Sequence, residues 1–189
     1  MVGSFWLRIK IIIGLVCVLV GVHIANVMLE GQLQYFGILP RHWGTWYHIF
    51  TSPFIHQSYG HLINNIIGLS IFSAICLLRP VRYFVIASFF IIVVAGVLVW
   101  LFGRPAIHIG ASGWIFGLWS LSIMTAWFDR SFKNLCIAVF VVFLYGGMIY
   151  GILPTRPGVS YEAHLFGCVA GILFAAMAAK SPRFKRALR

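Results

Sequence analysis

The sequence predicts an all-α polytopic membrane protein, a bundle of six transmembrane helices, and three observations support that fold class. First, 61% of the 189 residues are hydrophobic and only 9% are charged, whereas soluble domains carry about 25% charged residues. Second, the apolar residues fall into six runs, each long enough to cross a bilayer. Third, prolines and basic residues separate these runs, and no stretch between them is long enough for a separate soluble domain. We therefore expect residues 1–189 to form a single membrane domain.

Each apolar run is expected to be a helix, because backbone groups inside lipid must be hydrogen-bonded within their own segment. The first run follows Arg8 and Lys10 and lacks a clean small-residue cleavage site, so we expect a signal anchor that stays in the protein. Arg79 and Pro80 end the second run, and Pro154 ends the fifth. The six predicted spans cover about 11–29, 61–78, 83–102, 111–128, 135–153 and 163–179.

The basic residues lie mostly on one side of the predicted bundle. Eleven Lys and Arg share the side of the two termini, and three lie on the other side, namely Arg41, Arg104 and Arg156. The positive-inside rule then places both termini in the cytoplasm. This topology accounts for the formal net charge of +11, so we expect the lipid bilayer and no nucleic acid as a partner. The eleven are Arg8, Lys10, Arg79, Arg82, Arg130, Lys133, Lys180, Arg183, Lys185, Arg186 and Arg189.

The first outer loop, residues 30–60, is long and rich in aromatic side chains, which is unusual for a solvated linker. Amphipathic aromatic residues favour the headgroup level of a bilayer. We therefore expect this loop to be half embedded in the membrane interface. Its aromatic residues are Tyr35, Phe36, Trp43, Trp46, Tyr47, Phe50 and Phe54.

The four cysteines all lie in apolar runs, with no CxxC pair and no metal-ligand spacing. We expect them to be small buried hydrophobic residues, and we expect no disulfide, no metal and no cofactor. The four are Cys17, Cys76, Cys136 and Cys168.

Polar residues inside predicted spans are the first candidates for function, since they are costly in lipid. His61 and Asn65 are four residues apart at the start of the second span and share a helix face. Ser112 opens the fourth span and His164 opens the sixth. The topology places all four near the outer ends of their helices, so they meet at one depth of the membrane.

Glycine pairs indicate that the fourth and sixth spans touch. Gly113 and Gly117 form one GxxxG motif, and Gly167 and Gly171 form another on the same face as His164. Small residues at this spacing let helix backbones approach closely. Close approach would bring the serine hydroxyl and the imidazole within hydrogen-bond reach, at about 2.6–3.2 Å.

A catalytic arrangement built on these residues would be a Ser–His dyad. Asp129 lies 17 residues beyond Ser112 on the same helix, about 25 Å away. Glu162, two residues before His164, is expected to face elsewhere. His61 and Asn65 have the donors that an oxyanion hole needs, alongside the Ser112 backbone N–H.

With these motifs, the sequence resembles the rhomboid family of intramembrane serine proteases, in its minimal six-span bacterial form. The resemblance covers about residues 5–180 and agrees in the order of motifs and in their positions at helix ends. It rests on Gly110-Ala111-Ser112-Gly113, which matches the family's GxSG, on His61-x-x-x-Asn65, and on Ala163-His164-x-x-Gly167-x-x-x-Gly171.

The resemblance implies an endopeptidase that cleaves transmembrane segments of other membrane proteins near the outer face of a bacterial inner membrane. It implies Ser112 as nucleophile, His164 as general base and then acid, and His61, Asn65 and the Ser112–Gly113 backbone as oxyanion stabilisers. Supporting positions would be Gly110, Phe116, Gly167 and Gly171.

Two positions depart from the family's pattern. Tyr47-His48 stands where many members have a Trp-Arg pair, with Trp46 beside it. Phe116 replaces an aromatic residue that is often Tyr; it can stack on the His164 ring but has no hydroxyl.

Several alternatives stay open at the level of sequence. The chain could be a catalytically silent rhomboid-like protein that binds transmembrane helices for quality control, although such relatives tend to lose the serine or the histidine. A transporter or channel is disfavoured, since the spans hold no carboxylate and no duplicated half.

Individual residues also have alternatives. Asn65 could serve as glue between helices, His56 could order the outer loop, and Asn64 is expected to face away and pack. His108 and, in the first span, His23 and Asn26 are expected to be structural. Glycines in the fifth span resemble the family's mobile lateral gate, or they serve static packing; they are Gly146, Gly147 and Gly151.

Overall fold

The chain forms six α-helices in a computed structural model that describes residues 2–154 and 158–180. They are α1 (Val2–Met28), α2 (Tyr59–Cys76), α3 (Val81–Phe102), α4 (Ser112–Phe128), α5 (Phe132–Tyr145) and α6 (Tyr161–Lys180). Over these two ranges there is no β-strand, and the one isolated bridge pairs Ile38 with His108. The predicted fold class, an all-α bundle of six helices, is confirmed.

Five helices begin within three residues of the predicted spans, whereas α1 begins at Val2, nine residues before the predicted start at Ile11. Five segments have the length and hydropathy of a membrane span, namely Phe5–Met28, Tyr59–Cys76, Val81–Phe102, Phe132–Ile152 and Tyr161–Lys180. The remaining helix, α4, has 17 residues, which is the short end of the range for a transmembrane helix. The fifth span is not one regular helix, because α5 ends at Tyr145 and a 3-10 helix, Gly146–Ile152, continues it.

Helix α4 is the centre of the bundle. Ten of its 17 residues are buried, so it is enclosed on nearly all sides by other helices rather than by lipid. Its closest neighbour is α6, and the side chains packed around the two include the fully buried Leu118, Ile91 and Phe174. The residue at the start of α4, Ser112, is thereby held on the best-packed element of the fold.

Helix α5 lies at the periphery. Only Asn134, Ala138 and Val141 of its 14 residues are buried, and large apolar side chains such as Phe143, which is 85% exposed, point outward. In a bilayer that surface would face lipid.

Serine caps fix the start of three helices, α2, α5 and α6; at α5 the Ser131 hydroxyl accepts from the Asn134 N–H at 3.4 Å. The Ser58 hydroxyl accepts a hydrogen bond from the His61 N–H at 3.2 Å and begins α2. Ser160 accepts from the Ala163 N–H at 3.2 Å and begins α6. Because such caps pair an N–H group that the helix itself leaves unpaired, the first turns of α2 and α6 are well defined.

The outer loop between α1 and α2 contains three short 3-10 helices, Gln32–Phe36, Trp43–Ile49 and Ser52–Phe54. Its tryptophan side chains point outward, with Trp43 79% exposed. His48, at the departure from the family's Trp-Arg pair, is buried, and its Nδ1 lies 2.9 Å from the Gly37 carbonyl oxygen. This histidine therefore ties two parts of the loop together.

The expectation that all four cysteines are buried was wrong for Cys17 and Cys136, whose thiols lie exposed on outward helix faces; all four thiols are free. Some of the basic residues counted for the topology lie outside the described residues, namely Arg156, Arg183, Lys185, Arg186 and Arg189.

Candidate active site

The close contact between α4 and α6 brings the two helix ends that carry Ser112 and His164 together. A Cβ atom added at Gly167 would overlap the Gly113 carbonyl oxygen, and one added at Gly171 would overlap the Gly117 carbonyl oxygen. The two GxxxG motifs thus lie face to face, with backbone touching backbone. Any larger residue at Gly167 would push the first turns of the two helices apart.

A cavity of about 890 Å³ lies at the end of the bundle where α2, α4 and α6 begin, and it gathers the polar residues that the sequence singles out. Ser112, His164, His61 and Asn65 all line it. Asn64 lines it too and is exposed, so the expectation that Asn64 faces away and packs was wrong. Further polar lining comes from the α1–α2, α3–α4 and α5–α6 loops, including Gln57, Ser58, Arg104, His108 and Ser160.

The ring of His164 is held in one orientation and one tautomer. Its Nδ1 lies 2.8 Å from the Gly151 carbonyl oxygen, which can only accept, so Nδ1 carries the proton and Nε2 has a free lone pair. Phe116 stacks on the same ring, with centroids 4.1 Å apart and planes 6° from parallel. The imidazole is 8% exposed, and its acceptor nitrogen is therefore oriented by neighbours from α4 and the 3-10 helix after α5.

Ser112 is the first residue of α4 and is half-buried at the wall of the cavity. Between these two described residues, the structure contains no hydrogen bond from the Ser112 hydroxyl to the His164 ring. Catalytic hydrogen bonds are often long before a substrate binds and tighten in the complex. The two side chains share the cavity without being joined in this state.

The same cavity carries the candidate oxyanion donors. The His61 ring lies against Gly110, where a Cβ would come within 2.5 Å of its Nε2. Gly110 also has φ of 107°, a left-handed conformation that favours glycine, and its N–H donates to the Ser52 carbonyl at 2.9 Å. Backbone N–H groups in the first turn of α4, at Ser112 and Gly113, have no acceptor within their own helix.

Asn65 makes one contact that fits the helix-glue alternative. Its Nδ2 donates to the His61 carbonyl oxygen, one turn earlier on α2, at 2.8 Å. The amide group is buried at the cavity wall, with a second N–H that this bond does not use. Helix support and donation into the cavity are therefore compatible.

A buried histidine, His56, packs behind His61, and sequence reasoning largely missed this contact. His56 is fully buried, and its ring centroid is 5.0 Å from that of His61. Its carbonyl oxygen lies 3.2 Å from His23 Nδ1 and accepts from Asn26 Nδ2 at 3.4 Å, so α1 holds the loop beneath the cavity. Burial, with a smaller contribution from the nearby His61, lowers the pKa of His56 to about 4.

The Gly151 carbonyl is the second feature that the sequence did not reveal. A backbone acceptor leaves no side-chain signature, and the only signal was the glycine itself. A Cβ at Gly151 would come within 2.6 Å of Phe116 Cζ and 3.4 Å of His164 Nδ1. The sequence left two roles open for the fifth-span glycines, a mobile gate or static packing. Gly151 has the close contacts that static packing requires.

The chain matches known proteins over most of its length. Residues 43–181 match the family model described as the Rhomboid domain. An uncharacterized protein of Mycobacterium tuberculosis (strain ATCC 25618 / H37Rv) is 35% identical over 155 residues, which cover 77% of this chain and 64% of the relative. Rhomboid-like protein 11, chloroplastic, of Arabidopsis thaliana is 28% identical over 152 residues, 72% of this chain and 54% of that protein.

These similarities define the class of protein. It is an integral, multi-pass membrane protein with a rhomboid-type helical bundle. The chain belongs to the rhomboid family. Its matched part spans less than two thirds of the length of the curated relatives.

Proposed function

We propose that this chain is an intramembrane serine endopeptidase that cleaves transmembrane segments of other membrane proteins near the outer face of the bilayer. The observation that carries the proposal is the shared cavity of Ser112 and His164, with the His164 ring fixed by Gly151 and Phe116. A serine and an oriented, neutral imidazole at the wall of one cavity are the components of nucleophilic catalysis.

In the proposed reaction the Ser112 oxygen attacks the carbonyl carbon of the scissile peptide bond. His164 Nε2 takes the hydroxyl proton, and the resulting imidazolium keeps its Nδ1–H directed at the Gly151 carbonyl oxygen. The same proton then goes to the leaving amine, the C–N bond breaks, and an acyl-enzyme on Ser112 remains. Water, deprotonated by His164, hydrolyses that ester and restores both residues.

The negative charge of the tetrahedral intermediate requires donors that are already in place. The first-turn N–H groups of α4, at Ser112 and Gly113, are the backbone donors, and the positive end of the helix dipole favours the anion. His61 and Asn65 supply side-chain donors from α2. The low dielectric of the surrounding protein strengthens these interactions.

We propose that the substrate reaches this site sideways from the bilayer. Below the polar end, the cavity is lined by Ile67, Gly68 and Ile71 of α2 and by Tyr145 and Met148 from the fifth span. Helix α5 has few buried residues, so its outer part can move at little cost in packing.

A substrate helix must unwind locally before Ser112 can attack, since helical peptide bonds are shielded by their own hydrogen bonds. Gly and Pro near the cut would lower that cost, because they weaken a helix by roughly 1 and 3 kcal/mol relative to Ala. We therefore propose a single-span membrane protein with helix-breaking residues at its outer end as the substrate class. We also propose the bacterial inner membrane as the location, with both termini cytoplasmic.

The test is cleavage of a single-span reporter with a Gly-rich outer end, reconstituted with the protein in liposomes. Ser112→Ala and His164→Ala should each abolish cleavage, and the double variant should be no worse, because the pair acts as one unit. Ser122→Ala is the matched control, an α4 serine whose hydroxyl only bonds the Leu118 carbonyl at 2.7 Å. Cleavage retained by Ser112→Ala would refute the dyad, and reporter binding without cleavage by the wild type would favour the silent relative.

A further inference from the structure

A second polar cluster lies just outside the proposed dyad, where the α3–α4 loop meets the start of α6. It consists of Arg104 and His108 from the loop and Ser160 and Glu162 from the other side; we call these four residues the outer clamp. His108 and Glu162 are buried, at 3% and 5% exposed, whereas Ser160 is half-buried and the Arg104 side chain is exposed at the surface. None of the four takes part in the proposed peptide hydrolysis.

The hydrogen bonds at His108 have a defined direction. His108 Nε2 lies 3.1 Å from the Arg104 carbonyl oxygen, which can only accept, so Nε2 carries the proton and Nδ1 is an acceptor. The Ser160 hydroxyl therefore donates to His108 Nδ1, at 2.6 Å. Burial lowers the pKa of His108 below its ordinary value of 6.5, which keeps the ring neutral, as this pattern requires.

The same serine is the cap of α6. With its proton directed at His108, the Ser160 oxygen presents its lone pairs to the Ala163 N–H, at 3.2 Å. The next N–H, that of His164, bonds the Ser160 carbonyl at 3.3 Å. One residue thus connects His108 to the turn that carries the proposed general base.

The ion pair between Arg104 and Glu162 also connects the α3–α4 loop to the first turn of α6. The Glu162 carboxylate lies 3.5 Å from Arg104 Nε and also accepts from the Arg104 backbone N–H at 3.3 Å. The Arg104 guanidinium in addition donates to the Val159 carbonyl at 2.7 Å. The loop end is anchored as well, because His108 and Ile38 exchange two backbone hydrogen bonds of 2.9 Å.

We propose that His108 and Ser160 are positioning residues, which set the first turn of α6 and thereby the distance from His164 to Ser112. This inference rests on the proposed function and extends it by assigning the outer clamp a role in catalysis. The ring of His164 is oriented by Gly151 and Phe116, but its backbone is placed by the cap of α6. The outer clamp acts on this cap, so it sets the position of the His164 backbone. The contacts of Gly151 and Phe116 with the ring do not fix that position.

The experiment measures the rate at which a fluorophosphonate labels Ser112 in the full chain, as a function of pH, beside the midpoint of thermal unfolding. Ser160→Ala should slow labelling about 10-fold or more, because a misplacement of about 1 Å can cost up to about 10²-fold in rate. Its pH profile should shift, because the base meets Ser112 in a different geometry. Ser160→Thr keeps the hydroxyl and should label like the wild type.

Ser120→Ala is the matched control for loosening of α6 in general. The Ser120 hydroxyl bonds the Cys168 carbonyl at 2.9 Å, so the variant removes a tie between α4 and α6 about one turn deeper. It should lower the unfolding midpoint while leaving the labelling rate and pH profile unchanged. Equal loss of rate in Ser120→Ala and Ser160→Ala, at equal loss of stability, would overturn the positioning role.

A second pair of variants keeps the test informative if Ser160→Ala does not fold. His108→Asn retains an acceptor near the Nδ1 position and should keep the labelling rate, whereas His108→Gln retains a donor near Nε2 and should lose it. Identical rates in the two variants would overturn the proposal. If the wild type is not labelled at Ser112, the proposed function fails, and the clamp's role with it; if the wild type is labelled and Ser160→Ala matches it, the clamp alone fails.

Discussion

Replacing Gly167 by Ala tests the packing on which the site depends. In the folded chain the α-carbon of Gly167 lies against the Gly113 backbone, and a Cβ there would overlap the Gly113 carbonyl oxygen. The added Cβ would lie more than about 1 Å closer to that oxygen than the optimal separation of non-bonded atoms, which is about 3.5–4.0 Å between carbons. Backbone atoms cannot rotate away, so α4 and α6 must separate at their outer turns by about 1 Å.

That displacement has two expected consequences. Overpacking of a well-packed interface costs about 1–3 kcal/mol of unfolding free energy. A shift of about 1 Å between Ser112 and His164 should lower the cleavage rate by up to about 10²-fold. The rate should therefore fall by more than the loss of folded protein explains.

The assay is cleavage of the single-span reporter in liposomes, with thermal unfolding measured on the same preparations. Gly21→Ala on α1 is the matched control, since a Cβ at Gly21 would meet nothing within 4 Å. Both changes gain about 1 kcal/mol of helix propensity, so only the contact differs. Wild-type cleavage and stability in Gly167→Ala would refute the close approach of α4 and α6.

Three further predictions concern the cavity and its supports. Between pH 6.5 and 4 the unfolding free energy should fall by up to about 3 kcal/mol, because His56 has a folded-state pKa of about 4 and the unfolded chain takes up the proton first. Titration of unfolding should show a weaker fall in His56→Gln and an unchanged fall in the exposed control His42→Gln. Asn65→Ala should reduce kcat by less than the 10²–10³-fold typical of a lone oxyanion donor, since other donors share the charge; a change in thermal stability alone would support helix glue. A disulfide between the outer ends of α2 and α5 should slow cleavage of the membrane reporter, and undiminished cleavage would exclude access between those helices.

The sequence predicted the parts of this molecule that depend on composition and spacing. Lipid forces apolar runs into helices, so most spans were readable within a few residues. The exceptions are the start of α1, which lies nine residues before the predicted span, and the 3-10 end of the fifth span. The meeting of Ser112 with His164 in one cavity was readable from the two GxxxG motifs, because small residues at that spacing have one main use in a bundle.

The remaining features depend on contacts that have no sequence period. The Gly151 carbonyl that orients His164 is a backbone group, and any residue supplies one. His56 reaches His61 only because α1 holds its carbonyl oxygen through His23 and Asn26, which come some 30 residues earlier. The outward positions of Cys17 and Cys136 likewise follow from helix rotation, which a uniformly apolar run leaves undetermined.

The most direct measurement of the central claim is the identity of the residue that a fluorophosphonate modifies. The protein would be labelled in liposomes, digested, and the adduct located by mass spectrometry. The dyad predicts one adduct, on the Ser112 oxygen, that is lost in His164→Ala and retained in the control Ser122→Ala. An adduct on another serine, or labelling of Ser112 that does not depend on His164, would contradict the account.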